Sequence, residues 1–482
     1  MRVIGRDYEY RHSPRRRMKA SVIVTTAIVL LLGDGCAHYP ENARLIHSAP
    51  QAGYRFKNLS NAGNSDSLQV FLAFSGGGKR AAALSYGVLE ELERTKIVWE
   101  GQQRRLLDEV DYISAVSGGS FTAAYFALHG DGIFDDFEEK FLNRNVQGGL
   151  IWRLCSPINW FRLASPYFNR SDLAAEYYDR HIFDGATFND LLKRNRRPFL
   201  SLNATDMSAG STFQFTQEQF DYLCSDISSL PIARAVAASA AFPILLSPIT
   251  INNYGGSCGF VEPTWMASTN QNARTRGAMR AKELQSYQNS AEHPYLHLLD
   301  GGLSDNLGLR GPFEDIAAKG GFRNKVGDDL NPSLVRKMVV IVVNAAFKKD
   351  RNWDRRKQPP GAVQVTLALG SVPMNRYSFD TMQLLKDSVR EWEREWNERN
   401  LSDTSNAGNP TSTPRQIKIY TIEVNFDDIH DDEERKCIES LPTALKLPPE
   451  AVRRVRAVAG KLANQSEGYR ALLRDLAAES KD

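Results

Sequence analysis

Short apolar runs, separated by stretches of mixed polarity, recur along this chain from residue 68 to about residue 345. They contain many β-branched and aromatic residues and are nearly continuous rather than alternating, which is typical of strands buried on both faces of a sheet. Helical stretches lie between several of them, so the pattern predicts a mostly parallel α/β sheet. The runs are Val70–Phe74, Tyr112–Val116, Phe199–Leu202, Tyr295–Leu299 and Met338–Val343.

Two segments depart from this pattern. Residues 249–292 lack clear periodicity, and we interpret them as a long insertion in a body that spans residues 68–345. Residues 346–482 are predicted to be an extension of helix, polar loop, strand and final helices, the last of them broken near residues 466–468. The first of these helices carries an apolar stripe, expected to pack on the core, at Met382, Leu385, Val389, Trp392 and Trp396.

The start of the chain has the order of an export signal. Basic residues precede an apolar stretch from Ala20 to Leu32, and small residues lead to Cys36. The stretch is too short to span a bilayer, and Cys36 after a small residue resembles a bacterial lipoprotein signal, although Gly33 and Asp34 depart from that pattern. We expect residues 1–36 to be the signal, residues 37–67 to be a tether, and the protein to be exported and anchored by lipidated Cys36. A periplasmic or secreted protein is the alternative.

Composition and charge narrow the class of protein. Of the 482 residues, 42% are hydrophobic and 24% charged, which suits an enzyme-sized globular fold and excludes a polytopic membrane protein. The formal net charge of +3 gives nucleic acid binding no support. The five cysteines are scattered, without a CxxC pair or His at zinc spacing, so we predict no metal site and no cofactor.

Three glycines follow the first predicted strand. Gly76, Gly77 and Gly78 lie between that strand and a helix, where backbone N–H groups at a helix start can bind a phosphate or an oxyanion. The motif is weak by itself, because the dinucleotide-binding and P-loop spacings are absent. Lys79 and Arg80, next to it, are candidate contacts for a phospholipid head group, although basic residues at a helix start are usually only solvated.

Two further motifs carry candidate catalytic side chains. Ser117 lies in Val-Ser-Gly-Gly-Ser between a predicted strand and a helix, which matches a nucleophile elbow, with Ala115 where the usual motif has glycine. Ser114 and Ser120 are rival nucleophiles in the strand and the helix. Asp300 ends an apolar run and is followed by two glycines, a position that faces the ligand crevice in open α/β sheets.

In combination these motifs resemble the patatin-like phospholipase family. The order of glycine loop, Ser117-Gly-Gly and Asp300-Gly-Gly agrees with it, as do the stretches 202–215 and 235–243, so the resemblance covers roughly residues 68–344. It implies a three-layer α/β/α fold with a C-terminal helical extension and a Ser117–Asp300 dyad. It also implies an oxyanion hole at Gly76, Gly77 and Gly78, and hydrolysis of lipid acyl esters. The expected partners are a phospholipid substrate and the membrane surface.

Two alternatives stay open at this point. The first is an esterase with a Ser-Asp-His triad in the order Ser117, Asp300, His430, although His430 sits in a strongly acidic loop that is typical of a solvated surface. The second is a non-catalytic lipid- or anion-binding module that keeps the same fold. Labelling by a serine-directed fluorophosphonate probe distinguishes an activated nucleophile from binding alone.

Overall fold

The computed structural model describes residues 37–269, 273–346, 354–355, 357–406 and 416–479. The predicted signal segment, with Cys36, lies outside these residues. In the described part of the chain the strands are β1 Ala43–Arg44, β2 Leu68–Phe74, β3 Lys96–Trp99, β4 Gln102–Arg105, β5 Val110–Val116, β6 Phe199–Asp206, β7 Thr212–Phe215, β8 Ser225–Asp226, β9 Ile249–Asn252, β10 Tyr295–Asp300, β11 Lys337–Asn344 and β12 Lys418–Asn425.

The helices of the described residues are, in chain order, α1 Gly78–Arg94, α2 Gly118–His129, α3 Ile133–Phe137, α4 Val146–Leu154, α5 Pro157–Leu163, α6 Arg170–Tyr178, α7 Phe188–Arg194, α8 Gln217–Tyr222, α9 Ile232–Ser239, α10 Thr264–Ser268, α11 Arg276–Ser286, α12 Gly302–Asp305, α13 Arg310–Ala318, α14 Phe322–Asp329, α15 Ala362–Asn406, α16 Asp432–Glu439, α17 Pro449–Gln465 and α18 Glu467–Glu479. Short 3-10 and π turns join several of them. In this part of the chain, no helix has the length and apolar character to cross a bilayer.

One mixed sheet organises the body. Its strand order is β12-β11-β2-β5-β6-β10-β9, with β7 paired to β6 beside this path. The strands from β12 to β6 run parallel, whereas β10 and β9 are antiparallel to their neighbours. The predicted strands are therefore confirmed, and the carboxyl ends of β2 and β5 lie at the same edge of the sheet.

Alternate residues of the central strands enter two different cores. On β2, Leu72 and Phe74 belong to one apolar cluster, and the intervening Ala73 belongs to another. On β11, Ile341 joins the first cluster and Val342 the second. Helices therefore cover both faces of the sheet, which confirms the predicted α/β/α layers and explains why the strand sequences are apolar throughout.

The C-terminal extension completes the two outer layers. The predicted stripe on α15 packs on the sheet, with Met382, Leu385, Val389 and Trp396 buried in the second cluster. The predicted strand is β12, which pairs in parallel with β11 along its whole length. The two final helices, α17 and α18, meet at Ser466 as expected and pack against α1 and β12.

Residues 37–67 differ from the predicted tether, because they pack on the body. Strand β1 pairs with β8, and Tyr54 is fully buried, where its hydroxyl accepts the N–H of Leu200 at 2.7 Å. The polar, turn-rich sequence hides these few anchoring residues. The predicted insertion is also partly structured, since β9 forms the edge of the main sheet and Cys258 within it forms a disulfide with Cys224.

Candidate active site

Ser117 occupies a sharp turn between β5 and α2. Its backbone has φ 49° and ψ −116°, a region that side-chain-bearing residues rarely adopt and that is common where function imposes strain. The serine stands at the carboxyl end of a central parallel strand and directly precedes a helix, as a nucleophile elbow requires. The local geometry is therefore the one that the Val-Ser-Gly-Gly sequence predicts.

The two glycines after Ser117 are needed because backbone atoms lie against them. A Cβ on Gly118 would be 2.0 Å from the carbonyl oxygen of Gly78, and one on Gly119 would be 2.7 Å from that of Ser75. No side chain fits at either position without moving the main chain. This contact brings the start of α2 against the start of α1, so the glycine loop and the serine turn form one site.

Ser117 and Asp300 contact each other directly. Ser117 Oγ donates a 2.8 Å hydrogen bond to Asp300 Oδ2, and the N–H of Gly302 donates to Asp300 Oδ1 at 2.8 Å. The backbone of Asp300 is also held, since Thr205 Oγ1 donates to its carbonyl oxygen at 2.8 Å. Residues that lie 183 positions apart in the sequence are thus brought together by the parallel neighbours β5 and β6 and by the pairing of β6 with β10.

Burial changes the acid–base character of Asp300. The residue is only 3% exposed, and this desolvation raises the pKa of its carboxyl group to about 6, although the hydrogen bonds from Gly302 and Ser117 act in the opposite direction. A carboxylate with a raised pKa is a better proton acceptor than a solvated one and is still ionised at neutral pH. The arrangement is suited to accepting the proton of the Ser117 hydroxyl.

Ser239, at the end of α9, holds the turn at Ser117 through hydrogen bonds of its hydroxyl group. Its Oγ accepts the N–H of Ser117 at 2.8 Å and donates to the carbonyl oxygen of Asn203 at 2.6 Å. Ser120 Oγ lies 2.9 Å from the same hydroxyl. The resemblance places residues 235–243 in the family core, but the sequence alone indicates no role for Ser239. A serine in an alanine-rich helix was the only signal available.

The three glycines of the loop differ in whether their backbone N–H groups are free to bind an oxyanion. The N–H of Gly76 already donates to the carbonyl oxygen of Asn306 at 3.0 Å, so this part of the predicted oxyanion hole has an acceptor within the protein. Gly77 and Gly78 have φ values of 143° and 63° and begin α1, where the first N–H groups have no acceptor inside the helix. Gly118 begins α2 in the same way, and the residue after the nucleophile supplies an oxyanion donor in nucleophile-elbow hydrolases.

Asn306 was not predicted, and it lies beside this loop. Its side chain is 5% exposed, and Oδ1 has no hydrogen-bond partner among the described residues. That oxygen would be 2.5 Å from a Cβ on Gly76 and 3.0 Å from one on Gly302. The amide therefore fills the space between the glycine loop and the Asp300 turn, and a side chain at Gly76 would have to displace it.

Lys79 and Arg80, the candidate head-group contacts, are buried and hydrogen-bonded to backbone carbonyl groups of other elements. Lys79 Nζ donates to the carbonyl oxygen of Arg144 at 2.5 Å, and Arg80 donates to the carbonyl oxygens of Ala345 and Leu441 at 3.0 and 2.7 Å. Desolvation lowers the pKa of Lys79 to about 8 and that of Arg80 to about 9. A basic pair at a helix start is usually solvated, but here other elements cover it.

In the part of the chain that the structure describes, no histidine is hydrogen-bonded to the side chain of Ser117 or Asp300. The side-chain hydrogen bonds of Asp300 go to Ser117 and Gly302, and His430 is exposed beyond the end of β12. Within the described ranges, no group of three His, Cys, Asp or Glu side chains is arranged to hold a metal ion. A cavity of about 660 Å³ lies near the opposite end of the strands, around Val70 and Tyr112, and neither Ser117 nor Asp300 lines it.

An α/β/α sheet with an elbow serine bonded to a buried aspartate defines a hydrolase-type site, and comparison with known proteins agrees. The model of the patatin-like phospholipase family matches residues 72–312, half of the chain. The chain therefore belongs to the patatin-like phospholipase family, and this membership supports lipid hydrolase activity. A search of curated protein sequences gives no match.

Solved structures with a similar chain path are distant in sequence. Human GIVD cytosolic phospholipase A2 is 12% identical with a TM-score of 0.44, over 86% of this chain and 63% of that one. The same human protein in complex with methyl gamma-linolenyl fluorophosphonate is 11% identical with a TM-score of 0.40, over 86% and 60%. VipD from Legionella pneumophila is 13% identical with a TM-score of 0.29, over 91% and 72%. The chain thus spans less than two thirds of the human protein.

Proposed function

We propose that the protein is a serine lipid acyl hydrolase of the phospholipase A or lysophospholipase type, with Ser117 as nucleophile and Asp300 as its base. The observation that carries this proposal is the direct 2.8 Å hydrogen bond from Ser117 Oγ to Asp300 Oδ2. A serine hydroxyl becomes a useful nucleophile only beside a group that accepts its proton. The family supplies the lipid ester as substrate class.

The proposed reaction has two steps. Ser117 Oγ attacks the ester carbonyl carbon while its proton passes to Asp300, and the C–O bond to the leaving alcohol then breaks as that oxygen takes the proton. Water then attacks the acyl-enzyme carbonyl carbon while Asp300 takes its proton. The bond from that carbon to Ser117 Oγ breaks as Oγ regains the proton from Asp300, which releases the fatty acid and restores both residues. The N–H groups of Gly77, Gly78 and Gly118 stabilise the negative charge on the carbonyl oxygen, helped by the positive ends of α1 and α2.

The dyad is favoured over a triad by distance. In a Ser-Asp-His triad the imidazole stands between the serine and the acid, whereas Ser117 Oγ and Asp300 Oδ2 are already in hydrogen-bond contact. His430 belongs to an exposed acidic turn. We therefore assign the base role to Asp300 alone and give His430 none.

A fluorophosphonate probe tests the proposal. We expect covalent labelling of the wild-type chain, and peptide mass spectrometry should place the adduct on Ser117. Ser117→Ala should abolish labelling and the hydrolysis of short acyl esters, while the matched variant Ser120→Ala retains both. Absence of labelling in a folded wild-type protein would leave only lipid or anion binding, and labelling that survives Ser117→Ala would move the nucleophile elsewhere.

We also propose that the enzyme is exported and anchored to a membrane through lipidated Cys36. Support comes from the basic and apolar order of the signal and the small residues before Cys36. Stable anchoring by acyl groups needs more than one chain, which a fully lipidated N-terminal cysteine provides. Mass spectrometry of the mature protein should find an acylated Cys36 as its first residue; an unmodified N-terminus elsewhere would contradict the proposal.

A further inference from the structure

Two short helices ahead of α6 expose large apolar side chains to solvent. None of the seven residues of α5, all of them described, is buried, and Trp152 and Ile158 are 79% and 73% exposed. Single exposed apolar residues are ordinary, but a contiguous group usually marks an interaction site. We call the following exposed residues the tryptophan face: Ile151, Trp152, Ile158, Trp160, Phe161 and Tyr167.

The segment that carries this face is basic. Residues 141–171 include four arginines and no Asp or Glu. Arg153 and Arg162 share one carboxylate from α6, that of Glu176, at 3.8 and 2.9 Å, so their two positive charges meet one negative charge. An apolar, aromatic surface with excess arginine complements the acyl boundary and the head groups of an anionic lipid layer.

The segment that carries the tryptophan face is hydrogen-bonded to the loop that contacts the candidate catalytic aspartate. Arg170 Nη1, at the start of α6, donates to the carbonyl oxygen of Ile244 at 2.9 Å. Ile244 and Leu245 are themselves exposed, and Ile244 has φ +76°, which is rare for a β-branched residue. In the same loop, the carbonyl oxygen of Ala241 accepts the N–H of Asp300 at 3.0 Å.

The chain also enters the described fold at this face. Ser165 Oγ donates to the carbonyl oxygen of Ala37 at 2.6 Å, and the N–H of Tyr39 donates to the carbonyl oxygen of Tyr167 at 2.8 Å. The apolar stretch 20–32 ends five residues before residue 37, a distance of about 18 Å at most. Any attachment of Cys36 or of this stretch to a bilayer would therefore bring the bilayer to the tryptophan face.

We infer that the tryptophan face is a docking surface for an anionic phospholipid bilayer. Trp152 and Trp160 would lie at the level of the lipid head groups, where tryptophan is enriched in membrane proteins. The indole N–H of Trp160 donates to the carbonyl oxygen of Leu154 at 2.7 Å, so its ring enters the interface with that group satisfied. The lipid substrate rests on the proposed function, but docking itself requires no catalysis.

Vesicle partitioning tests this inference. The full chain with Cys36→Ser, which removes the site of lipidation, is sedimented with phosphatidylglycerol vesicles and with phosphatidylcholine vesicles. We expect tighter binding to phosphatidylglycerol, and Trp152→Ser with Trp160→Ser should lower the partition coefficient roughly tenfold or more, because two large apolar side chains no longer leave water. Residues 20–32 are present in both chains, and the lipid concentration is kept low enough that neither chain is fully bound, so a difference between the chains reports the tryptophan face.

A matched pair of exposed apolar residues provides the control. Val261 and Met279 are 79% and 63% exposed and lie in the 249–292 segment, away from α4 and α5 in the sequence. Val261→Ser with Met279→Ser should leave partitioning unchanged. The inference would be overturned if this control variant lowered the partition coefficient as much as the tryptophan variant does. It would also be overturned if the tryptophan variant partitioned as well as the chain with both tryptophans.

Hydrolysis of a soluble short-chain ester separates this inference from the proposed function. The tryptophan variant should retain this hydrolysis and lose activity on vesicles in proportion to its lost binding. Vesicle binding by a chain without any esterase activity would leave the docking surface in place and refute the proposed function. A different outcome is a wild-type chain that binds no vesicles and forms a dimer in solution, which the tryptophan variant converts to monomers. This result would assign the face to a second copy of the chain and overturn the inference.

A probe on Cys155 checks the orientation. Cys155 is exposed between α4 and α5 and is not in the disulfide, so it accepts an environment-sensitive fluorophore in the Cys36→Ser, Cys437→Ser chain. We expect a blue shift when phosphatidylglycerol vesicles are added. The control carries the same dye on Ala478→Cys, in a chain that also has Cys36→Ser, Cys155→Ser and Cys437→Ser. Ala478 is exposed on α18, next to the edge strand β12. We expect no blue shift from this position. The reverse pattern would place the bilayer on the wrong side for this inference.

Discussion

The N–H of Ser117 donates to Ser239 Oγ at 2.8 Å, and the same hydroxyl donates to the carbonyl oxygen of Asn203 at 2.6 Å. Ser239 thus connects the serine turn after β5 to the neighbouring strand β6. The turn is strained, with φ 49° at Ser117, and strained turns persist only where the surroundings hold them. Ser239 is therefore a positioning residue for the candidate nucleophile.

We expect Ser239→Ala to lower kcat by roughly tenfold or more and to change KM little. The variant removes the acceptor of a partly buried N–H, which costs about 1–3 kcal/mol, and a small displacement of the nucleophile is enough to slow acyl transfer. Steady-state kinetics on a soluble ester measures both constants. Ser120→Ala, which removes only the other hydroxyl beside Ser239, should stay close to wild type. Equal losses in the two variants would argue for general loosening of α2.

The raised pKa of Asp300 predicts the pH dependence of hydrolysis. Asp300 must be ionised to accept the Ser117 proton, and burial raises its pKa to about 6. We expect kcat/KM to rise about tenfold per pH unit below this value and to level off above it. His430→Ala should leave the profile unchanged. A profile whose acidic limb disappears with His430 would support the triad.

The same pKa shift predicts that Asp300 lowers the free energy of unfolding at neutral pH. Since the folded pKa lies above the unfolded one, the stabilising contribution of the protonated carboxyl is complete below pH ~4 and is lost as pH rises through about 6. The loss is about 3 kcal/mol for a shift of about two units. Asp300→Asn, which cannot ionise, should be inactive yet more stable than wild type at pH 8.

Urea denaturation at two pH values checks this sign. The difference in free energy of unfolding between Asp300→Asn and wild type should be largest at pH 8 and shrink toward zero near pH 4. The contributions of other titrating groups cancel in this difference. A variant that is less stable than wild type at pH 8 would show that the carboxylate is well solvated or paired, contrary to its burial.

Most of the fold and both members of the candidate pair could be proposed from the sequence because each depends on a local pattern. The strands β2, β5, β6, β10 and β11 are apolar runs of ordinary length, and burial on both faces is visible in their continuous hydrophobicity. Ser117 is marked by a strand, a small-residue turn and a helix in immediate succession. Asp300 is marked by a strand end followed by two glycines, although its contact with Ser117 needed the family resemblance to be foreseen.

What escaped prediction depends on contacts between distant segments. The sequence around Asn306 and Ser239 does not show that one meets Gly76 and the other meets Ser117. Residues 37–67 look like a tether because their polar composition outweighs a few buried anchors such as Tyr54. The burial of Arg80 is hidden in the sequence for the same reason, since the carbonyl groups that it binds belong to Ala345 and Leu441, far along the chain.

The burial of Arg80 predicts a structural role. Its guanidinium group binds the carbonyl oxygens of Ala345 and Leu441 and lies 3.4 Å from Thr443 Oγ1, so Arg80→Met would leave buried acceptors without donors. We expect a loss of about 2–4 kcal/mol in the free energy of unfolding, measured by urea denaturation. Arg94→Met, at the exposed end of the same helix, should change it by less than about 0.5 kcal/mol.

Substrate preference separates this role from head-group binding. If Arg80 acts only within the fold, the ratio of kcat/KM for a phospholipid to that for an uncharged acyl ester should be the same in Arg80→Met and in wild type. If the substitution shifts the glycine loop, kcat/KM should fall by the same factor for both substrates. The reason is that the N–H groups of Gly77 and Gly78 would bind the carbonyl oxygen of either ester. A roughly tenfold fall in that ratio, with stability unchanged, would mean that the guanidinium group binds phosphate in the working enzyme, and that α1 opens to expose it.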